Sequence, residues 1–139
     1  MLICDISILN RMGKLLLDER LKNAGFIWRE MVVLMVLEEK PGATQNFVVK
    51  FLQTDKANVS NLITTMEERD LIVRRTCEED RRFKGLYLTE SAIGHLPQLH
   101  KIVNEWEKEC YSSLTQEELK VYKELNKKII ENMLFKERN

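Results

Sequence analysis

The chain has 139 residues with 22 Lys plus Arg against 22 Asp plus Glu. That length suits one domain, residues 1–139, able to bury roughly two-thirds of its unfolded surface. The zero net charge excludes a bulk polycation, and no apolar run reaches the length of about 18 residues that a membrane-spanning helix needs.

Residues 2–22 form the first helical pattern. Ile3, Ile6, Leu9, Gly13 and Leu16 share one face, and Ile8, Met12 and Leu15 widen it. That stripe covers more of the circumference than a surface helix requires. Either the helix is deeply buried in its own chain or it is buried partly against a second chain. The small size of the core favours a dimer, because obligate interfaces resemble a core cut in half.

Asn23, Ala24 and Gly25 end this helix, with glycine in its helix-stop role. Phe26 to Lys40 is the second helix. Trp28, Met31, Val32, Met35 and Val36 are its expected inward face, thickened by Val33, Leu34 and Leu37, and Pro41-Gly42 closes it. Trp28 reads as core or pocket wall; a Met and aromatic stripe is more often packing than a ligand box.

Two short helices follow. Thr44 can cap the first, whose face is Phe47, Val48, Phe51 and Leu52. A break at Gln53-Thr54 precedes the second, capped by Asp55 or Thr54. Val59, Leu62, Ile63 and Met66 repeat at helical spacing as its core side. Its opposite face carries Lys56, Asn58, Ser60, Asn61 and Thr64. Asn can read adenine bidentately, Ser and Thr reach several base edges, and Lys neutralises phosphate. A plain solvated face has the same composition, so this helix alone does not decide.

A strand at Leu71-Ile72-Val73 and another at Gly85–Leu88 flank a charged loop. It holds Arg74, Arg75, Glu78, Glu79, Asp80, Arg81, Arg82 and Lys84. An isolated hairpin is marginal, so it must pack on the helices and project its tip. Arg81 and Arg82 there suit the narrow minor groove, or pair with the neighbouring acids in a solvated turn. Two adjacent short helices followed by such a hairpin form the pattern of a winged helix-turn-helix. The expected fold is mainly α with a small β-hairpin wing.

Thr89 can cap a helix from Glu90. Pro97 inside it removes a backbone donor and clashes with the preceding turn, which predicts a kink or break near Gly94–Pro97. Leu99, Ile102, Val103, Trp106 and Cys110 continue the apolar face. Thr115 and Glu118 then make a capping box. Leu119, Tyr122, Leu125, Ile129 and Met133 mark a last helix to about Phe135, with Lys136–Asn139 expected to fray.

The run LIVRRTCEEDRRFKGLYLTESA, preceded by DKANVSNLITTMEERD, resembles the winged-helix core of the MarR family of transcriptional regulators. RLKNAGFIWREMVVLMVLEEK resembles the family's junction between its first two helices, so the likeness covers nearly the whole chain. It implies a winged helix-turn-helix core (26–89) flanked by dimerisation helices (1–22 and 90–135). It also implies wing arginines, Arg81 and Arg82, that contact DNA, and an aspartate, Asp80, that orients an arginine. The function implied is a homodimeric regulator, usually a repressor, on a pseudo-palindromic double-stranded operator. Release by a small aromatic effector is also implied, with Leu16, Trp28, Met31 and Met35 as possible pocket walls.

No Gly-rich phosphate loop, G-x-S-x-G or H-E-x-x-H occurs, so no enzyme is expected. His95 and His100 stand five apart, a poor spacing for shared ligation. Cys4, Cys77 and Cys110 are odd in number and far apart, neither a disulfide framework nor a metal set; no cofactor is expected. The resemblance raises thiol-based peroxide sensing, because some family members keep a reactive cysteine early in the first helix, near Cys4. Trp28 and Met31 stand where those members have tyrosines, and Asp5 disfavours a thiolate beside Cys4. Cys77 lies beside Arg74 and Arg75 but also beside Glu78 and Glu79. Winged helices also bind proteins; the polar recognition face with Arg81 and Arg82 favours DNA. The N-terminus lacks the basic start and cleavage site of a signal peptide, which leaves the cytoplasm as the expected compartment.

Overall fold

The computed structural model describes the backbone of residues 1–137 and the side chains of residues 1–135. It divides into two compact units, Met1–Val103 and Asn104–Asn139. Among the described residues there are six α-helices, one 3-10 turn and three short strands.

The first unit begins with α1 (Leu2–Leu21), which passes through a 3-10 turn (Lys22–Ala24). Gly25 ends the turn at φ 81°, a left-handed conformation that glycine adopts without a Cβ clash. α2 (Trp28–Glu39) starts two residues later than its apolar pattern suggested. Phe26 is instead a buried anchor ahead of the helix. The inward face of α2 is also rotated from expectation. Val33, Leu34 and Leu37 are the deeply buried residues with Met31, while Trp28, Val32, Met35 and Val36 are half-buried. A helix apolar most of the way round gives little sequence signal about which side turns inward.

β1 (Ala43–Thr44) is a strand that the sequence reading lacked. It pairs antiparallel with β3 (Lys84–Leu88), which also pairs with β2 (Ile72–Thr76), giving the sheet order β1-β3-β2. Two residues carry too little periodicity to be read as a strand. The close approach depends on glycine, since a Cβ on Gly85 would lie 2.9 Å from the Gly42 carbonyl oxygen. β2 is longer than expected: Arg74, Arg75 and Thr76 pair with Leu86, Gly85 and Lys84. They belong to the ladder, not to the loop.

α3 (Gln45–Leu52) is capped by Thr44, whose hydroxyl accepts from the Phe47 amide at 3.2 Å. Val48 is its buried residue, and Phe51, expected in the core, is 57% exposed. Phe51 stacks on Phe47 at 6.2 Å between ring centroids. Gln53, at φ 51°, terminates α3. α4 (Lys56–Glu68) begins at Asp55, whose carboxylate accepts from the Asn58 amide at 2.8 Å. Val59, Ile63 and Met66 are its fully buried residues.

α5 (Glu90–Cys110) runs unbroken through Pro97, so the expected break is absent. Proline's missing donor leaves the Ile93 carbonyl without its helical partner. Ile93, Gly94 and Pro97 all face solvent, where water can satisfy that group, while Ala92, Leu96 and Leu99 anchor the other side.

In the second unit, the Thr115–Glu118 capping box forms as expected. The Glu118 amide donates to the Thr115 hydroxyl at 3.1 Å, and the Thr115 amide donates to the Glu118 carboxylate at 3.0 Å. α6 (Gln116–Glu137) follows, two residues longer than expected. Fraying was expected over Lys136–Asn139; residues 136–137 are instead helical backbone, and residues 138–139 lie outside the described residues. Tyr122, Leu125, Ile129 and Met133 of α6 are exposed.

Candidate nucleic-acid interface

The two faces of α4 separate as its spacing predicted. Lys56, Asn58, Asn61 and Thr64 are exposed and Ser60 is half-buried, opposite the core residues Val59, Ile63 and Met66. The side chains on this face differ in readiness. The Asn58 amide group donates to the Asp55 carboxylate at 3.0 Å and to the Thr54 hydroxyl at 3.4 Å. It therefore completes the start of the helix and must release those partners to address another group. No side-chain hydrogen bond ties Asn61 or Thr64 among the described residues, so their polar groups face water.

The wing places its cations in two sets. Arg81, Arg82 and Lys84 are exposed at or beside the tip. Arg74 stands in β2 and donates from Nε to the Glu67 carboxylate of α4 at 2.9 Å. It thus ties the wing to the helix and has part of its charge already neutralised. Arg75 packs over the Tyr87 ring at 5.1 Å.

Asp80 and Arg82 form the most closely defined contact of the tip. Asp80 Oδ1 accepts from the Arg82 main-chain amide at 3.1 Å and from Nε at 3.0 Å, and Oδ2 accepts from Nη2 at 2.8 Å. A bidentate guanidinium–carboxylate contact fixes the plane of the arginine as well as its position. The Arg82 side chain's hydrogen bonds, and then its main-chain donation, hold the Asp80 carboxyl below its ordinary range. Asp80 in turn raises the Arg82 guanidinium. Among the described residues, Arg81 and Lys84 have no ion pair. Arg81 lines an open concavity of about 610 Å³ with Thr76, Cys77 and Glu78.

Neither of two clefts in this region gathers the possible effector residues. Met31 is buried, Leu16 is exposed, and Trp28 and Met35 are half-buried. A cleft of about 420 Å³ is lined by their sequence neighbours Leu15, Ile27 and Glu30, with Asp18, Glu19, Lys22, Gly25 and Phe26. Met35 lines a different cleft, with Phe47 and Phe51. Trp28 is fixed at the start of α2, where its amide donates to Asp18 at 2.7 Å and Lys14 Nζ sits 4.5 Å from its ring centre. Cys4 is exposed on the first turns of α1 and Cys77 is half-buried in the wing.

Two residues outside this surface carry no functional signal in the sequence. Arg69, at the end of α4, donates to the Glu30 carboxylate and to the Gly25 carbonyl, the latter at 2.6 Å. Glu30 is 5% exposed. Glu three residues after Ile27 was a readable helix-start signal; its pairing with a residue 39 positions away was not.

Residues 24–82 match the profile of the MarR family. The chain is also similar to a MarR transcriptional regulator from Methanosarcina mazei. The two share 25% identity over 96% of each chain, with a TM-score of 0.83. It is similar to MepR of S. aureus, solved as a DNA complex, at 27% identity and TM-score 0.82, covering 92% of this chain and 93% of that one. A MarR family regulator from Listeria monocytogenes, complexed with a 26-mer DNA, shares the fold at TM-score 0.87 and 21% identity, over 94% and 87% of the two chains. Among the described residues, no helix is long and apolar enough to cross a membrane.

Proposed function

We propose that the chain, whose residues 24–82 match the MarR family profile, is a MarR-family regulator of transcription: cytoplasmic, homodimeric, sequence-specific in DNA binding and acting as a repressor. The observation that carries this reading is the pairing of a polar α4 face with a wing tip whose Arg82 is held in a fixed plane by Asp80. α4 enters the major groove, with Asn61, Thr64, Ser60 and, after releasing its cap, Asn58 at base edges and Lys56 at phosphate. Arg81, Arg82 and Lys84 of the wing lie along the adjacent backbone and minor groove, and Arg74 supports them from β2. The DNA complexes of MepR and of the Listeria regulator support this assignment by likeness.

The whole chain acts as one regulator unit in this reading. Its helices over residues 1–22 and 90–135 join two copies, and its core over 26–89 binds DNA. Support comes from unpartnered apolar surface. Ile3, Ile8 and Leu9 of α1 are each at least 60% exposed, a poor arrangement for a lone chain in water. A two-fold dimer presents two α4 helices to half-sites about 34 Å apart. Release by a small aromatic effector is part of the proposal, and the cleft beside Leu15, Phe26 and Ile27 is its entry point.

Selection of duplexes from a random pool tests the reading. Enrichment of a near-palindrome supports it. No enrichment by a protein shown to be dimeric would favour a protein-binding winged helix instead.

A further inference from the structure

We infer that Arg69 and Glu30 are positioning residues that set the angle at which α4 meets DNA, although neither lies on the proposed DNA-facing surface. This rests on the DNA-binding reading above and extends it inward.

The geometry is a clamp at the end of α4 remote from Lys56 and Asn58. Arg69 caps α4 and spans to the start of α2. One of its terminal nitrogens donates to Glu30, and the other donates to the Gly25 carbonyl at 2.6 Å. Its guanidinium lies over the Phe26 ring at 5.1 Å, and Phe26 meets His95 of α5 edge-on at 5.2 Å. Glu30 uses its other oxygen to accept from the Ile27 amide at 3.0 Å. Both carboxylate oxygens of a buried acid are thus engaged, one on its own helix and one on α4. Gly25 has the left-handed conformation that turns its carbonyl toward the arginine's side of the junction. The 3-10 turn after α1, the start of α2 and the end of α4 are therefore joined through one planar group.

The site is suited to orientation. A guanidinium has donors in a rigid fork, so satisfying two acceptors on two elements fixes an angle. α4 has 13 residues and is about 20 Å long. A tilt of about 10° at Arg69 moves its far end by about 3 Å, more than a base-edge hydrogen bond tolerates. The core residues Val59, Ile63 and Met66 hold the helix down, but apolar contacts are less directional than a bidentate polar one.

The test compares Arg69→Gln, Arg69→Lys and Glu30→Gln with the unaltered protein, using the selected operator and an unrelated duplex. Urea titration first establishes that each variant is folded. The expected result is a tenfold or greater loss of operator affinity in Arg69→Gln. Affinity for the unrelated duplex should stay within about twofold and the salt slope should be unchanged, since no phosphate contact is removed. Arg69→Lys keeps the charge but not the fork, and should recover less than half of the lost operator affinity on a logarithmic scale. Glu30→Gln keeps the shape and should show a loss in the same direction, which makes the inference testable even if Arg69→Gln fails to fold. Operator affinity equal to the unaltered protein in folded Arg69→Gln or Glu30→Gln overturns the inference. So does a reduced salt slope in Arg69→Gln, which would place that arginine on phosphate. If the unaltered protein selects no DNA, the DNA-binding reading itself falls and takes the inference with it.

Discussion

Asp80 holds Arg82 by three hydrogen bonds of 2.8 to 3.1 Å, two from the guanidinium and one from the main chain. Both residues sit at the exposed wing tip, so the contact does little for stability. Its effect is on presentation, because it fixes the plane of a cation two residues along the same loop. This leads to a prediction whose sign separates two mechanisms. Removing a negative charge beside DNA should strengthen binding on charge alone. If Asp80 aims Arg82, Asp80→Ala should instead weaken operator binding severalfold, measured by titration at fixed salt. Stronger binding would show that the aspartate only opposes the DNA.

The same pair, and the capping box of α6, predict how two carboxyls titrate. Asp80 is held below its ordinary value of 3.8 by the Arg82 side chain and amide. Glu118 is held below 4.5 by the Thr115 amide and hydroxyl. Both are depressed, so each contribution is complete above the ordinary value and is lost as pH falls through the lower folded one. NMR titration should place both midpoints below those ordinary values. Arg82→Ala should return Asp80 toward 3.8, and Thr115→Ala, which removes the hydroxyl but keeps the main-chain donor, should return Glu118 only part of the way toward 4.5. Unmoved midpoints would mean that these contacts are not populated in solution.

The α4 face predicts a difference between two asparagines. Asn61 is exposed without a side-chain partner among the described residues, whereas Asn58 is held by Asp55 and Thr54. Asn61→Ala should cost about 1–3 kcal/mol on the selected operator and relax preference at a particular base position. Loss spread equally over all sequences would mean that Asn61 reads no base.

The helix caps predict stability effects away from the DNA question. Thr44 and Asp55 each satisfy a first-turn amide, at 3.2 and 2.8 Å. Thr44→Ala and Asp55→Ala should each lower unfolding free energy by about 1 kcal/mol in urea titrations. Asp55→Ala also frees Asn58 from one partner, so its DNA affinity and its stability need not change together.

Elements with a local signal were legible in the sequence, and those set by distant partners were not. The caps at Thr44, Asp55 and Thr115 and the stop at Gly25 depend on a few adjacent residues, and they stand where the spacing put them. β1 depends on pairing with Leu86 and Gly85, some 40 residues on, and two residues show no pattern. Pro97 predicted a kink or break because local chemistry argues against helix there; α5 continues through it without a break, and its solvent-facing side tolerates the missing donor. Phe51 reads as core by spacing yet is exposed, because α3 is short and only Val48 reaches the interior fully. At the candidate site the residue types on α4 and the wing were readable. The assignment of Arg74 to Glu67, Arg82 to Asp80 and Arg69 to Glu30 required the fold.

The central claim is sequence-specific DNA binding through α4 and the wing. Its most direct test is fluorescence anisotropy of the unaltered protein and Arg82→Ala on the selected duplex at several salt concentrations. Tight, salt-sensitive binding by the unaltered protein is expected. Arg82→Ala should be weaker, with a salt slope lower by about one per subunit. Equal affinity and an equal slope in the two proteins would contradict it.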